Sequence, residues 1–375
     1  MNKLRQLNGA GVCIWLDDLS RELLESGEFR RLIQGFAVTG ATSNPTIFAK
    51  AITGSDHYDE QLQTLLASGT RDLRETFFAL ALEDVRRAAD LLHPIYQVSQ
   101  GWDGYVSFEC TPDLADDAQS TVEQAIAVRD RLDRPNVLIK VAATDAGIEA
   151  IEELTARGVN VNVTLLFSLS RYEQAIDAYL DGLERRAASG EPIAGSTSVA
   201  SFFVSRVDAA VDPQLAPGSP LRGRIAIANA KRAYARYLRT FGTSRWRRLE
   251  ALGARPQRPL WASVATKDDS YSDVRYVQEL VAPHVISTMP LKTLHAFASH
   301  GDIGSSFGSD ARVAERLIRQ LAATGIDFVA LTGELERQGV EAFRDSYRQL
   351  LSSIEERIAS LTVEVPGELV GQAVG

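Results

Sequence analysis

Of the six lysines in the chain, Lys140 stands inside the apolar run Val137-Leu138-Ile139-Lys140-Val141-Ala142. Lysine is almost never fully buried without a partner, and burial disfavours the ammonium form. A neutral amine is what a Schiff-base nucleophile requires. The structural alternative is a snorkelling or salt-bridged lysine at a strand end. Asp17 and Glu109 are candidate acid–base groups. Schiff-base aldol chemistry must move protons at the hydroxyl beside the breaking C–C bond and during carbinolamine loss and hydrolysis. Carboxylates within hydrogen-bond reach, directly or through one water, can do this. Charge pairing with Lys140 is their structural reading, which burial would itself demand. Asp18 adjoins Asp17, and spacing does not choose between the two.

Thr164, Asn44, Asn162 and Ser201 are neutral hydrogen-bonding groups suited to a polyhydroxylated substrate. Asn44 precedes Pro45, which also reads as a turn, and Ser263 carries the same ambiguity. Arg206 and Lys267 are the candidate phosphate ligands, since the planar fork of arginine matches phosphate oxygens. A surface pair of Arg206 with Asp208 or Asp212 is the alternative.

These residues need a frame that brings them together. Eight short apolar runs punctuate the chain: Val12–Leu16, one around Thr39–Thr42, Tyr105–Phe108, Val137–Val141, Val159–Phe167, Thr197–Phe203, Leu260–Val264 and Val285–Thr288. Most are rich in β-branched or aromatic residues, as fully buried strands are. Amphipathic stretches lie between them. Ser170-Arg-Tyr-Glu173 has the pattern of a capping box, and Tyr172, Ala175, Ile176, Tyr179, Leu180 and Leu183 share one helical face behind it. Ala226–Phe241, Asp310–Ala323 and Val340–Leu361 read as further helices. Strand–helix alternation implies parallel strands with right-handed crossovers. Eight units predict an α/β fold, a (β/α)₈ TIM barrel with extra helices. The candidate residues fall at the C-terminal ends of the strands, where such barrels carry their sites.

The surplus length has places to go: two or three helices within about 55–94, an irregular surface loop at Val211–Gly223 and a tail at about 362–375. No polar linker divides the chain, so residues 1–375 are expected to form one domain. Acids outnumber bases by 49 to 40, a balance that disfavours nucleic acid and anionic membranes as partners. Two cysteines make no disulfide framework. No apolar run reaches the roughly 18 residues of a membrane span, and the N-terminus lacks a signal-peptide core. The expectation is a cytoplasmic protein, with monomer and homodimer both open. Without a phosphate-binding GxxxxGK[ST] loop, a GxGxxG after a strand or an HExxH, neither cofactor nor metal is expected.

Val-Leu-Ile-Lys140-Val-Ala-Ala-Thr, Asn162-Val-Thr164-Leu-Leu-Phe-Ser, Thr-Ser-Asn44-Pro-Thr and Ser201-Phe-Phe-Val-Ser-Arg206-Val-Asp together resemble the transaldolases, closest to the longer bacterial branch. The resemblance runs from Trp15 to about His300. It implies a cofactor-free transfer of a dihydroxyacetone unit from sedoheptulose 7-phosphate to glyceraldehyde 3-phosphate. It makes Lys140 the Schiff-base lysine and Asp17 the base at the C4 hydroxyl. Glu109, with a water held by Thr164, would shuttle protons during imine formation and hydrolysis. Asn44, Asn162 and Ser201 would hold the dihydroxyacetone hydroxyls, Phe203 would line the pocket and Arg206 would bind phosphate. Shorter transaldolases carry a second phosphate arginine in a Ser-Phe-Arg stretch, where this chain has Ser263-Val-Ala-Thr-Lys267. The alternatives are a fructose 6-phosphate aldolase-like enzyme and a non-catalytic phosphosugar-binding barrel. The former has, by resemblance, Gln and Tyr in place of Glu109 and Phe203.

Overall fold

The computed structural model describes residues 2–304, 307 and 311–363. Eight parallel strands close into a barrel in sequence order: β1 (Val12–Leu16), β2 (Val38–Thr42), β3 (Val106–Glu109), β4 (Val137–Ala142), β5 (Val161–Leu166), β6 (Ser198–Phe203), β7 (Arg258–Ala262) and β8 (Val285–Met289). β8 pairs with β1 in parallel and completes the ring. The (β/α)₈ barrel expected from the apolar runs is the observed fold, with boundaries shifted by a few residues at most. The strands are buried almost throughout, apart from Thr39 and Ala142, because helices cover their outer faces and side chains fill the interior.

Register decides which side chains meet. Glu109 pairs with Lys140 across β3 and β4, and Lys140 pairs with Asn162 across β4 and β5. Three polar residues from three strands thus form one row near the C-terminal end of the barrel.

The segment 55–94 contains the helix Asp59–Ala67 and most of the helix Leu73–Val98. Three local readings need correction. The helix after β5 is Leu169–Ala188, and Ser168 is its cap: its Oγ accepts from the Arg171 amide. The capping-box spacing therefore selected a serine one position inside the helix start correctly placed by Ser168. The segment Val211–Gly223 is more than a surface loop, since Val211 ends the helix Ser205–Val211, the 3₁₀ turn Asp212–Gln214 follows, and Leu215 and Leu221 are buried. The last helix is Phe328–Val363, longer than Val340–Leu361. Gly333 and Gly339 hide its first half, because glycine weakens a helical signal. The tail expected from about 362 overlaps the end of this helix, and residues 364–375 lie outside the described residues, as does Asp310.

The last helix packs along the helix Pro45–Gly54 and reaches β5. A Cβ on Gly339 would come within 3.0 Å of Leu165 Cδ2, so glycine permits this approach. Arg171–Glu336, Arg344–Asp116 and Arg357–Asp59 ion pairs and a Thr46–Ser346 hydrogen bond of 2.8 Å pin the helix to the barrel.

Candidate active site

Lys140 is 5% exposed and Glu109 7%. The Lys140 Nζ donates to the Ser43 carbonyl oxygen at 3.1 Å and to Glu109 Oε2 at 3.4 Å. The lysine is therefore held from β2 and β3 and does not snorkel to solvent. The ring of Phe343, from the last helix, has its centroid 6.0 Å from Nζ.

Asp17 follows β1 directly. Its Oδ1 accepts from Thr42 Oγ1 at 2.6 Å, and Thr42 Oγ1 lies 2.8 Å from Thr288 Oγ1. Having given its hydrogen to the carboxylate, Thr42 accepts from Thr288. Burial pushes the Asp17 carboxyl up to about 6, against the Thr42 hydrogen bond and the charge of Lys140. Glu109 is likewise pushed up to about 6 by burial, opposed by the charge and hydrogen bond of Lys140, while the charge of Asp17 adds to the rise. Two carboxyls raised to about 6, both within electrostatic reach of one amine, can both give and take protons. Asp18 is engaged differently: its Oδ2 accepts from the Leu291 amide at 2.7 Å, at the start of the helix after β8. Geometry separates the neighbours that spacing left equivalent.

A neutral chain continues around the barrel. Ser201 Oγ donates to Asn162 Oδ1 at 2.7 Å, and Asn162 Nδ2 donates to Ser107 Oγ at 2.9 Å. Thr164 Oγ1 is buried and without a protein partner among the described residues. Asn44 caps the helix Pro45–Gly54, its Oδ1 accepting from the Ile47 amide, so its turn chemistry is real and only its amide nitrogen is left to donate. Phe203 packs against Phe167 at 5.1 Å between ring centroids.

Arg206 makes no ion pair among the described residues. The pairs proposed for it are absent because both acids are occupied. Asp208 accepts from the Ala226 amide and the Tyr276 hydroxyl, and Asp212 from the Gly223 amide and the Tyr271 hydroxyl. The Arg206 guanidinium lies 5.6 Å above the Phe203 ring, and partial burial pulls its pKa down. Ser263, at φ 54°, joins its Oγ to Ser205 Oγ at 2.9 Å and so ties the end of β7 to the start of the Arg206 helix. Lys267 is exposed, yet its charge reaches Asp17 and favours the ionised carboxylate.

The barrel thus gathers Asp17, Glu109, Lys140, Asn162, Thr164 and Ser201 in its interior, with Arg206 on the short helix Ser205–Val211 after β6 and Lys267 in the loop after β7. Sequence reasoning missed Thr42, Thr288, Ser43, Ser107 and Phe343. Thr42 and Thr288 end strands and carried a signal. Ser43 acts through its carbonyl and Phe343 arrives from a distant helix, so neither had one. Cys13 and Cys110 are free, buried and pushed up to about 12 by that burial, which keeps them protonated and inert.

Residues 14–354 match the family model described as transaldolase/fructose-6-phosphate aldolase. A protein of Saccharopolyspora erythraea named transaldolase is 47% identical over 361 residues, covering 95% of this chain and 98% of that protein. Its namesake in Frankia alni is 47% identical over 363 residues with the same coverage, and that of Mycolicibacterium smegmatis 46% over 358 residues, covering 94% and 96%.

Proposed function

The chain belongs to the transaldolase/fructose-6-phosphate aldolase family, and from that premise we propose that Lys140, Asp17, Glu109 and Thr164 carry its catalysis. The chain is a transaldolase. It moves a dihydroxyacetone unit from sedoheptulose 7-phosphate to glyceraldehyde 3-phosphate through a lysine Schiff base and gives erythrose 4-phosphate and fructose 6-phosphate. The observation that carries the assignment is one buried lysine bonded to a buried carboxylate, with a second carboxylate within electrostatic reach.

Lys140 attacks the C2 carbonyl of the donor. The carbonyl oxygen leaves as water, taking one hydrogen from the amine and one from the Glu109 carboxyl. Asp17 then accepts the C4 hydroxyl proton, the C3–C4 bond breaks and its electron pair is drawn into the iminium. The aldehyde leaves while the enamine stays on Lys140. Attack on the acceptor aldehyde reverses the step: Asp17 returns its proton to the new alkoxide, and a water that gives one hydrogen to Glu109 and one to the amine adds its oxygen to C2 and frees the ketose. The Thr164 hydroxyl, buried and without a partner among the described residues, is available to hold a water beside these groups. The Ser201–Asn162–Ser107 chain offers partners for the hydroxyls beside C2.

Arg206, free of any carboxylate among the described residues, holds the terminal phosphate, with Lys267 as a second cation. Ser263 ties the helix of Arg206 to the end of β7, Phe203 forms the floor under Arg206 and Asn44 donates from its amide. No helix among the described residues is long and apolar enough to cross a membrane, and we assign the chain to the cytoplasm on its two unpaired thiols. A coupled assay with sedoheptulose 7-phosphate and glyceraldehyde 3-phosphate tests the reading: erythrose 4-phosphate should form only when both substrates are present. Steady release of free dihydroxyacetone at the same rate without acceptor would instead mark an aldolase.

A further inference from the structure

Two hollows flank the last helix. An open groove of about 790 Å³ runs between its first half and the loops after β4 and β5, past Thr144, Ser168 and Arg171. A small cavity of about 20 Å³ lies beside Glu109, lined also by Leu165, Val340 and Phe343. Val340 belongs to both linings and is only 6% exposed. It stands next to Gly339, where the helix presses closest on Leu165. Leu165 itself takes φ 62° at an irregularity between β5 and β6, and a residue held in the left-handed region within a strand needs support from its surroundings.

The size of the cavity is informative. A volume of about 10–15 Å³ suffices for one water if two to four polar partners are at hand. Glu109, Thr111 and Thr121 are among its lining residues. Val340 stands between the groove and this cavity, on a helix that ion pairs hold down at Glu336 and Arg344.

We propose that Val340 and Phe343 form a plug that retains a single water beside Glu109, so that the water lost when the Lys140 imine forms is the one that later hydrolyses it. This rests on the roles given above to Lys140 and Glu109. The chemistry balances. Imine formation makes the C2–N bond and expels the carbonyl oxygen as water, with one hydrogen from the amine and one from Glu109. Hydrolysis returns that oxygen to C2, one hydrogen to the amine and the proton to Glu109. Slowing exchange with bulk water also shields the enamine between donor departure and acceptor arrival, the interval in which stray water would divert the intermediate to free dihydroxyacetone.

The test uses fructose 6-phosphate labelled with ¹⁸O at C2 as donor and erythrose 4-phosphate as acceptor. Mass spectrometry of the sedoheptulose 7-phosphate formed reads the label kept, corrected for exchange without enzyme. The wild type should retain label well above that baseline. Val340→Ala should retain several-fold less and release more dihydroxyacetone when acceptor is omitted, while Val340→Ile should keep the wild-type fraction. Phe343→Leu gives a second opening of the plug should Val340→Ala fold poorly. A merely structural role would lower turnover without changing the retained fraction. Equal retention in wild type, Val340→Ala and Phe343→Leu, including none in all three, overturns the proposal. Borohydride trapping at Lys140 in the same variants separates that outcome from a failure of the Schiff-base assignment, which would leave no adduct in any of them.

Discussion

Thr42→Val removes one hydroxyl and nearly preserves shape, and it acts on Asp17 alone among the groups proposed to be catalytic. The Thr42 Oγ1 to Asp17 Oδ1 bond of 2.6 Å is the largest influence opposing burial at this carboxyl. Hydrogen bonds to charged groups contribute about 1.5–3 kcal/mol, and 1.36 kcal/mol corresponds to one pK unit. Losing this bond should therefore move the titration of Asp17 upward by about one to two pH units from its present position near 6. The sign follows from its role. Asp17 must be ionised to accept the C4 hydroxyl proton, so cleavage falls as pH drops through its pKa. At pH 7 the ionised fraction should shrink from about nine tenths to between about one half and one tenth. Turnover should then fall about two- to tenfold at pH 7 and recover near pH 9. The assay is the initial rate of transfer from fructose 6-phosphate to erythrose 4-phosphate between about pH 5 and 9, with thermal melting as a fold check because Thr288 also loses its acceptor. A uniform loss at every pH, with the acid limb unmoved, would refute the role given to the Thr42–Asp17 bond.

Asp17→Asn should slow C–C cleavage by about 10²–10⁴-fold while an imine still accumulates, read as borohydride-trapped protein with turnover lost. Glu109→Gln should slow imine formation and hydrolysis by a similar factor; trapping at an unchanged rate would remove Glu109 from that role. Arg206→Ala should raise KM about 10–150-fold for phosphorylated substrates, the equivalent of about 1.5–3 kcal/mol, with a smaller loss in kcat. Unphosphorylated fructose and erythrose should barely notice the change, and equal impairment of both substrate classes would make Lys267 the leading phosphate ligand.

The barrel was legible because its strands are buried on both faces. Runs such as Val137–Ala142 then read as continuous apolar segments, and a lysine inside one is conspicuous. The row Glu109–Lys140–Asn162 could be anticipated as strand-end residues, although its alignment depends on a pairing register that no local pattern encodes. The choice between Asp17 and Asp18 was not legible, since it rests on which neighbour meets Thr42 and which meets the Leu291 amide. The alternative pairing of Arg206 with Asp208 looked sound in sequence and fails because Tyr276 and the Ala226 amide occupy that acid. The last helix was half hidden by two glycines, one of which, Gly339, lets the helix lie close against Leu165. What brings Phe343 to Lys140 is the passage of that helix over the barrel, a long-range contact with no trace in local periodicity.

The Schiff-base role of Lys140 is tested most simply by incubating the protein with fructose 6-phosphate, reducing with borohydride and mapping the product by peptide mass. A single stable secondary amine that carries the dihydroxyacetone unit on Lys140 is expected. Lys140→Arg, whose guanidinium stays protonated, should give no adduct while the fold persists. An adduct on any other lysine, or unreduced activity in Lys140→Arg, would contradict that role.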